Sequence, residues 1–441
     1  MISLRQVAGG TPYAAYAYSY PHKTAYRPLR PPRALQEAWN AEGKDSLFLY
    51  LHVPFCEMRC GFCNLFTTAN PSENLSASYV CAMHRQARRV RDAVGPARFA
   101  RMAIGGGTPT YLSAGQLEQV LQISREFFGV DGKATPISVE TSPRTADSDK
   151  LQLLRDYSVQ RISMGVQSMV EAEVNASGRA QKNAWVQSAI ERIRQLDFPT
   201  LNLDLIYGLP GQTVSSWLRS LELSLDADPE ELYLYPLYVR PITGLQRWGR
   251  EAEDSMRLAC YREGRSLLLS RGYVQQSMRM FQKPSPRKSA GGPVYCCQED
   301  GMLGLGCGAR SYTQALHYST DYAVGADGVR QIIADYIAKP EQDFDFADYG
   351  CELDDAEQRR RFLIKSLLRI DGLAPTHYRQ QFGADVRCDF PELKELEEAG
   401  YLETAGSILR LTPAGLERSD AIGPWLYSPA MQQRMAAYKP R

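Results

Sequence analysis

Three cysteines close together in the sequence have the clearest potential for chemistry. Cys56, Cys60 and Cys63 lie within eight residues, with three residues between the first two and two between the last two. Thiolates at such spacing bind zinc or an iron–sulfur cluster. A structural zinc site takes four ligands, usually in two separated pairs, and His52 is the only imidazole near the triplet. A [4Fe–4S] cluster held by three cysteines instead leaves one iron open to a small-molecule ligand.

Composition narrows the class of protein that carries this triplet. The chain has 441 residues, of which 44% are hydrophobic and 23% are charged, as is typical of globular proteins. A net charge of +1 argues against nucleic-acid binding. The sequence has neither a signal-peptide pattern nor an apolar run of about 18 residues, so we expect a cytoplasmic protein without membrane contact. In that compartment its ten cysteines are not expected to form a disulfide framework.

Alternating strand and helix patterns predict the elements that position the cysteines. Predicted strands cover residues 47–53, 102–107, 137–141, 161–166, 201–207 and 232–239, and each precedes a helical pattern. This alternation predicts an α/β fold, with a parallel sheet curled into a partial or complete (β/α) barrel. Functional residues then belong at the carboxyl ends of the strands. The triplet, glycines 105–107, Glu140, Gln167 and Asp204 all fall at or near those ends.

The chain divides into four predicted segments. Residues 1–46 are rich in tyrosine and proline and predict an irregular arm, which lies on the main domain or across its opening. Residues 47–271 form the barrel core, and residues 272–345 form a less regular extension on the substrate side, with a loop over 283–293. Residues 346–441 predict three helices and a β-hairpin, in a small winged-helix-like domain.

Two smaller questions remain open within these segments. Tyr20 and His22 of the arm either reach a substrate or take part in aromatic packing of the arm itself. The recognition helix of the winged-helix-like domain carries four glutamates between residues 392 and 398, which would repel phosphates. We therefore favour a structural lid or a docking surface over DNA binding for that domain.

The residues around the cysteines resemble a known family. Tyr50-Leu-His-Val-Pro-Phe-Cys56 and Cys60-Gly-Phe-Cys63 are similar to the signature of the radical S-adenosylmethionine (SAM) superfamily. The resemblance is to the branch containing oxygen-independent coproporphyrinogen III oxidase, the related haem chaperone and the class C radical SAM methyltransferases. Further blocks match along the chain: residues 105–110, 164–168, 204–210, 304–310 and 411–420. The resemblance implies a [4Fe–4S] cluster, SAM cleaved to a 5′-deoxyadenosyl radical, and a flavodoxin- or ferredoxin-type electron donor.

The resemblance also assigns roles to individual residues. It implies that Cys56, Cys60 and Cys63 hold the cluster. The residues that it implies for SAM binding are Tyr50, Phe62, Gly106, Gly107, Thr108, Glu140, Gln167, Arg179 and Asp204. Glycines allow backbone to approach a ligand closely, and a carboxylate at a strand end accepts hydrogen bonds from ribose hydroxyls or an amino group. The backbone of Phe62 is expected to bind the adenine edge, while its side chain packs.

The substrate is less well defined by the sequence. Arg279 and Arg310 either recognise a substrate carboxylate or contact a second SAM, or else they form internal ion pairs. The His-Asn-x2-Tyr-Trp segment of the haem chaperone is not evident in the comparable residues 293–300. Cys296 and Cys297 in that region are either redox or substrate-handling thiols, or packing residues. Three functions stay open: a coproporphyrinogen-oxidase-like oxidoreductase of porphyrin biosynthesis, a methyltransferase with two SAM molecules, and a non-catalytic haem-delivery protein.

Overall fold

One large mixed sheet organises this computed structural model, which describes residues 4–17, 19–249, 253–284 and 295–439. The strands are β1 (Arg27–Ala34), β2 (Leu47–Val53), β3 (Phe55–Cys56), β4 (Thr68–Ala69), β5 (Phe99–Gly106), β6 (Ile137–Thr141), β7 (Arg161–Gln167), β8 (Thr200–Tyr207), β9 (Glu231–Pro236), β10 (Val274–Gln275), β11 (Met280–Gln282), β12 (Met302–Leu305), β13 (Arg310–Tyr312), β14 (Leu316–Ser319), β15 (Phe346–Glu352), β16 (Leu402–Ala405) and β17 (Ile408–Leu411).

Helices cover the convex side of the sheet and build the C-terminal region. They are α1 (Leu4–Gly9), α2 (Leu35–Asn40), α3 (Glu73–Val94), α4 (Ala114–Phe128), α5 (Ser148–Asp156), α6 (Glu171–Ala176), α7 (Asn183–Gln195), α8 (Val214–Leu225), α9 (Gly244–Arg247), α10 (Asp254–Ser270), α11 (Ala326–Ala338), α12 (Asp355–Leu367), α13 (Pro375–Phe382), α14 (Val386–Asp389), α15 (Leu393–Glu398), α16 (Pro413–Leu416), α17 (Ser419–Trp425) and α18 (Pro429–Ala436). Within the described ranges, none of these helices combines the length and the apolar character that crossing a membrane requires.

Six parallel strands form the centre of the sheet, as the sequence predicts. They lie in the order β2-β5-β6-β7-β8-β9, and helices connect each strand to the next. The helix starts are locally encoded. Ser113 caps α4 in a capping box with Gln116, and Thr213 caps α8 in a capping box with Ser216. The predicted bounds of these six strands agree with the structure to within about three residues.

The sheet remains an open, partial barrel in the part of the chain that the structure describes. Antiparallel β11 and β10 continue it beyond β9, while β12 adds in parallel beside β2 and is followed by β13, β14, β15 and β1. The prediction of an irregular arm over residues 1–46 was therefore wrong for residues 4–9, which form α1, and for residues 27–40, which form β1 and α2. The extension is likewise more regular than predicted. The loop predicted at 283–293 lies mostly outside the described residues.

The two faces of the central sheet differ in exposure. On β2, Leu49 and Leu51 are buried against the helices, whereas Phe48 and Tyr50 on the opposite face are partly exposed. The same alternation runs along β9. The concave side therefore encloses a solvent-accessible space, which we call the lumen. Inward-facing side chains that define it are Tyr50, Glu140, Arg161, Asp204, Tyr233 and Tyr235.

A second hydrophobic core joins the C-terminal domain to the arm. The predicted helix over 375–382 and the β-hairpin (β16 with β17) are both present, and further helices follow the hairpin. Because β15 belongs to the main sheet, the separate domain begins after Glu352 and not at residue 346. Tyr20 is fully buried in this core, where its hydroxyl donates to Glu357 and accepts from the backbone N–H of Ser428.

A buried ion pair connects the barrel, the arm and the C-terminal domain. Arg279 and Asp420 form it, with side chains that are 7% and 1% exposed. The hydroxyl of Tyr238 also donates to Asp420, and the ring of Tyr16 lies 3.9 Å beneath the guanidinium carbon of Arg279. The backbone N–H of Ala15 donates to the Asp420 carbonyl at 3.0 Å. Arg279 therefore makes the internal ion pair that the sequence left open as an alternative to substrate binding.

Replacing Asp420 with alanine tests this junction. The change leaves the Arg279 guanidinium buried without its counter-charge, so we expect the free energy of unfolding to fall by about 3–5 kcal/mol. Urea denaturation followed by circular dichroism measures it. The matched control is Glu403→Ala, which breaks an exposed pair with Arg410 and should lower stability by less than about 1 kcal/mol. Equal losses in the two variants would contradict a special role for the junction.

Candidate functional site

The three predicted cluster ligands lie at the carboxyl edge of the sheet, in the loop that follows β2. Each thiol contacts a different neighbour. The Thr108 hydroxyl donates to Cys56 Sγ at 3.6 Å, and an Arg179 guanidinium N–H donates to Cys60 Sγ at 3.4 Å. Cys63 Sγ lies 3.7 Å from the Thr67 hydroxyl. Thr108 follows β5, and Arg179 lies between α6 and α7, so two connections after parallel strands meet this loop.

The donor set consists of three thiols, the set that holds a [4Fe–4S] cluster with one open iron. In the described residues, no group of three or more His, Cys, Asp or Glu side chains converges closely enough to hold one metal ion. Burial raises the pKa of Cys56 to about 12 and also raises the pKa of Cys60. A bound cation is what stabilises such thiols as thiolates.

The glycine motif after β5 lies against the cysteine loop. Gly106 has φ +117°, and a Cβ placed there would lie 2.5 Å from the His52 ring. A Cβ at Gly105 would lie 2.7 Å from the Glu140 carboxylate. Backbone N–H groups of Gly107 and Thr108 donate to carbonyls of residues 53 and 55 at 2.8 and 2.7 Å. The absence of side chains at 105 and 106 therefore lets the Glu140 carboxylate and the His52 ring pack directly against the end of β5.

A hydrogen-bonded pair orients the predicted sulfonium neighbour, Tyr50. Its hydroxyl lies 3.2 Å from His52 Nδ1, and His52 Nε2 lies 3.2 Å from the Phe66 carbonyl oxygen. Because a carbonyl only accepts, Nε2 carries the proton and Nδ1 accepts from Tyr50. Burial lowers the pKa of His52 to about 4, which keeps the imidazole neutral. The neutral ring thus holds the Tyr50 hydroxyl towards the lumen.

Two carboxylates face the lumen from neighbouring parts of the sheet. Glu140 on β6 accepts from the Gly106 N–H at 3.0 Å, and surrounding protein raises its pKa to about 7 although its side chain meets lumen solvent. Asp204 on β8 accepts from Asn202 Nδ2 at 2.9 Å and from the Ser163 hydroxyl at 3.3 Å. Burial also raises the pKa of Asp204. Both are suited to accept hydrogen bonds from a bound nucleoside or amino group.

The other predicted SAM residues are brought to the same edge. Gln167 ends β7 with φ +68°, where the pairing with β8 shifts register. Arg179 donates to the Gly165 carbonyl at 2.7 Å as well as to Cys60, and so joins β7 to the cysteine loop. The Phe62 side chain packs on an apolar cluster at the ends of β8 and β9, as predicted. Their roles towards SAM stay predictions.

The predicted substrate-side residues are more dispersed. Arg310 on β13 is partly exposed and donates to the Ser19 hydroxyl of the arm at 3.1 Å. Cys296 and Cys297 are partly buried, and both thiols donate to the side-chain oxygen of Gln298, at 3.3 and 3.2 Å. A redox role for the two thiols stays a hypothesis.

Some lumen residues were missed by the sequence analysis. Arg161, Tyr233 and Tyr235 occupy alternate positions of predicted strands, so strand periodicity was the signal that could have identified them. Arg161 pairs with Glu231 at 2.6 Å. Lys23 of the arm also approaches the cysteine loop, and no local pattern signals it, because that contact depends on how the arm folds back.

Comparisons with known proteins agree with this geometry. The family model of the radical SAM superfamily matches residues 50–224, and that of the HemN C-terminal domain matches residues 353–417. The chain is 28% identical to the heme chaperone HemW of Bacillus subtilis, over 83% of this chain and 95% of that protein. It is 27% identical to the oxygen-independent coproporphyrinogen III oxidase of Pseudomonas aeruginosa, over 92% and 89%.

A solved structure resembles the whole fold. Coproporphyrinogen III oxidase (HemN) from Escherichia coli superposes with a TM-score of 0.80 and 23% identity, covering 96% of this chain and 98% of that one. At this identity the likeness concerns the fold alone.

Replacing Cys60 with alanine tests the cluster site. The variant loses one of three thiolates, so we expect the broad visible absorption of the reconstituted cluster to disappear. Cys81→Ala is the control, because Cys81 is an exposed cysteine on α3. Iron content and absorption spectra of both variants measure the outcome. A Cys60→Ala protein that keeps its cluster and still cleaves SAM would contradict the assignment.

The raised pKa of Glu140 predicts pH-dependent SAM binding. At about pH 6 its carboxyl is largely protonated, and at about pH 8 it is ionised and accepts hydrogen bonds more strongly. We expect SAM affinity to rise with pH across this range, by up to about tenfold. Equilibrium binding to the reconstituted protein measures it, with Glu140→Gln expected to bind weakly and without this dependence. The exposed Glu398→Gln is the control, and an unchanged profile in Glu140→Gln would refute the role.

Proposed function

Because the chain belongs to the radical SAM superfamily, in its HemN-like branch, we propose that it is an oxidoreductase of the coproporphyrinogen III oxidase type. Such an enzyme removes carboxyl groups oxidatively from propionate side chains of a tetrapyrrole. The observation that carries the proposal is the lumen, which is open to solvent, walled by aromatic rings and bordered by the cysteine loop. It offers a large carboxylated ring both apolar contact and polar groups.

Aromatic rings line the lumen at two places, on β9 together with the arm and on β2. Tyr233 and Tyr235 are stacked with ring centroids 5.9 Å apart and planes 19° apart. Tyr16 of the arm meets Tyr235 edge-on at 6.3 Å, and Phe48 lies 6.5 Å from Tyr50. Rings supply large contact areas with little conformational freedom to lose. Rings at both places are suited to contact an extended apolar ring system.

Proteins of this superfamily use a [4Fe–4S] cluster and SAM, which when bound supply one-electron reductive cleavage and a hydrogen-abstracting radical. This chain's residues bind and orient. Glu140 and Asp204 accept hydrogen bonds, Tyr50 presents a fixed hydroxyl, and Arg179 balances the charge of the Cys60 thiolate. An electron donor of flavodoxin or ferredoxin type is the expected partner.

Haem delivery is the alternative that the HemW relative raises. In the described structure, each of the five histidines of the chain is engaged by another group, buried in the protein or on the outer side. His52 is hydrogen-bonded at both nitrogens, His22 Nδ1 lies 2.9 Å from the Thr24 hydroxyl, His377 pairs with Glu299, His317 is 1% exposed, and His84 packs on Phe127 on the outer side. This arrangement favours the enzyme over a protein that binds haem through histidine.

The methyltransferase alternative requires a second SAM in the lumen. Arg310 lies at the position that resembles part of a second SAM site, and its guanidinium stays charged at all working pH values. A fixed cation beside a sulfonium is unfavourable because like charges repel. The substrate-side charge therefore favours an anionic substrate group over a second sulfonium.

Anaerobic turnover tests the proposed function. Reconstituted protein is incubated with dithionite, SAM and coproporphyrinogen III, and the products are identified by mass spectrometry. We expect each reacting propionate to become a vinyl group, so that the tetrapyrrole loses one carbon dioxide and two hydrogen atoms. One hydrogen atom goes to 5′-deoxyadenosine, the other leaves as a proton, and an added one-electron acceptor takes up the remaining electron. Cys60→Ala protein is the matched control. S-adenosylhomocysteine with a methylated product would instead indicate the methyltransferase, and stable haem binding without turnover would indicate the delivery protein.

A further inference from the structure

Lys23 brings a cation from the N-terminal arm to the cysteine loop. Its ammonium lies 3.7 Å above the centroid of the Tyr322 ring, within cation–π distance. The hydroxyl of the same Tyr322 donates to the carbonyl of Asn64 at 3.4 Å, and Asn64 directly follows Cys63. One ring thus positions Lys23 beside the last of the three cysteines.

Arg310 approaches the same region from β13. Its guanidinium donates to the Ser19 hydroxyl, four residues before Lys23. The intervening arm is held in place, because Tyr20 is bonded to Glu357 and Arg434 Nε donates to the Ala25 carbonyl at 3.0 Å. Burial chiefly lowers the pKa of His52, and both cations lower it further, which is consistent with their facing the same ring. Two positive side chains from distant parts of the chain therefore converge.

The positive charges of Lys23 and Arg310 repel each other. Both side chains are only partly exposed. Among the described residues, the charged groups that act on Lys23 are Arg310, which repels it, and the Cys63 thiol, and no ion pair joins Lys23 to a carboxylate. Withdrawing the Lys23 ammonium from water costs free energy unless an anion lies near it. The arrangement is suited to an anionic group supplied from outside.

We propose that Lys23 and Arg310 together bind one carboxylate of the substrate at the edge of the lumen beside the cysteine loop. The planar guanidinium pairs with a carboxylate through two parallel hydrogen bonds, and the ammonium adds a third donor with a point charge. The identity of the substrate rests on the proposed function, whereas the anion site rests on the geometry of the two cations. The arm is then part of the substrate site.

Equilibrium binding of a stable carboxylated tetrapyrrole tests the site. Coproporphyrin III and its tetramethyl ester are titrated against the reconstituted protein with fluorescence detection. We expect Lys23→Gln and Arg310→Gln each to weaken coproporphyrin III binding by about tenfold, as loss of a charged hydrogen bond predicts. The ester should bind the variants and the unaltered protein alike. In the double variant the effects should be less than additive, because both cations share one carboxylate.

Two further variants separate this role from others. Lys23→Arg keeps the charge and should retain most of the affinity. Lys283→Gln is the matched control, because Lys283 pairs with Asp228 near the start of β9, away from the cysteine loop, and it should bind normally. Loss of the visible cluster absorption in Lys23→Gln would overturn the proposal, since Lys23 would then serve the cluster.

The outcomes also distinguish this inference from the proposed function. Unchanged coproporphyrin III affinity in Lys23→Gln and Arg310→Gln would overturn the carboxylate site even if decarboxylation is observed. Failure of the unaltered protein to bind coproporphyrin III would overturn both proposals. Binding that depends on the two cations, without any decarboxylation of coproporphyrinogen III, would remove the proposed activity and leave the carboxylate site standing.

Discussion

The register of the parallel strands is the constraint on which the rest of the structure depends. Side chains of a strand alternate between its two faces, so burial of Leu49 and Val139 against the outer helices turns Tyr50 and Glu140 into the lumen. The same alternation places Asp204 there from β8. A shift of one residue would exchange the two faces and bury the polar set. Burial of apolar side chains on the outer face of the sheet thus determines which polar side chains face the lumen.

Much of this arrangement could be predicted from the sequence, because the signals are local. The continuous apolar runs, the Ser113 and Thr213 caps and the cysteine spacing each act within a few residues. Strand β1 escaped prediction because it contains Pro28, Pro31 and Pro32, which remove backbone donors. The structure shows why they are tolerated: within the described ranges β1 lies at the edge of the sheet and has β15 as its single neighbour.

Long-range contacts decided what the sequence left open. Arg279 was equally compatible with a substrate carboxylate and an internal partner, and the partner proved to be Asp420, 141 residues further along the chain. Arg310 and Lys23 meet only because the arm folds back over the sheet. No period or motif encodes such a meeting, since each of the two residues lies in an ordinary local context. Tertiary contacts between chain ends therefore carried the information on the substrate side.

The arm has two neighbours at once, and this has a thermodynamic consequence. Tyr20 lies in the core of the C-terminal domain, while Lys23, three residues later, faces the cysteine loop. Because one ordered segment contacts both regions, its conformational entropy is lost once for the two sets of contacts. A ligand that engages the arm must also stabilise the packing of the distant C-terminal domain, by mass action. Ligand affinity and domain stability are in that sense a single linked equilibrium.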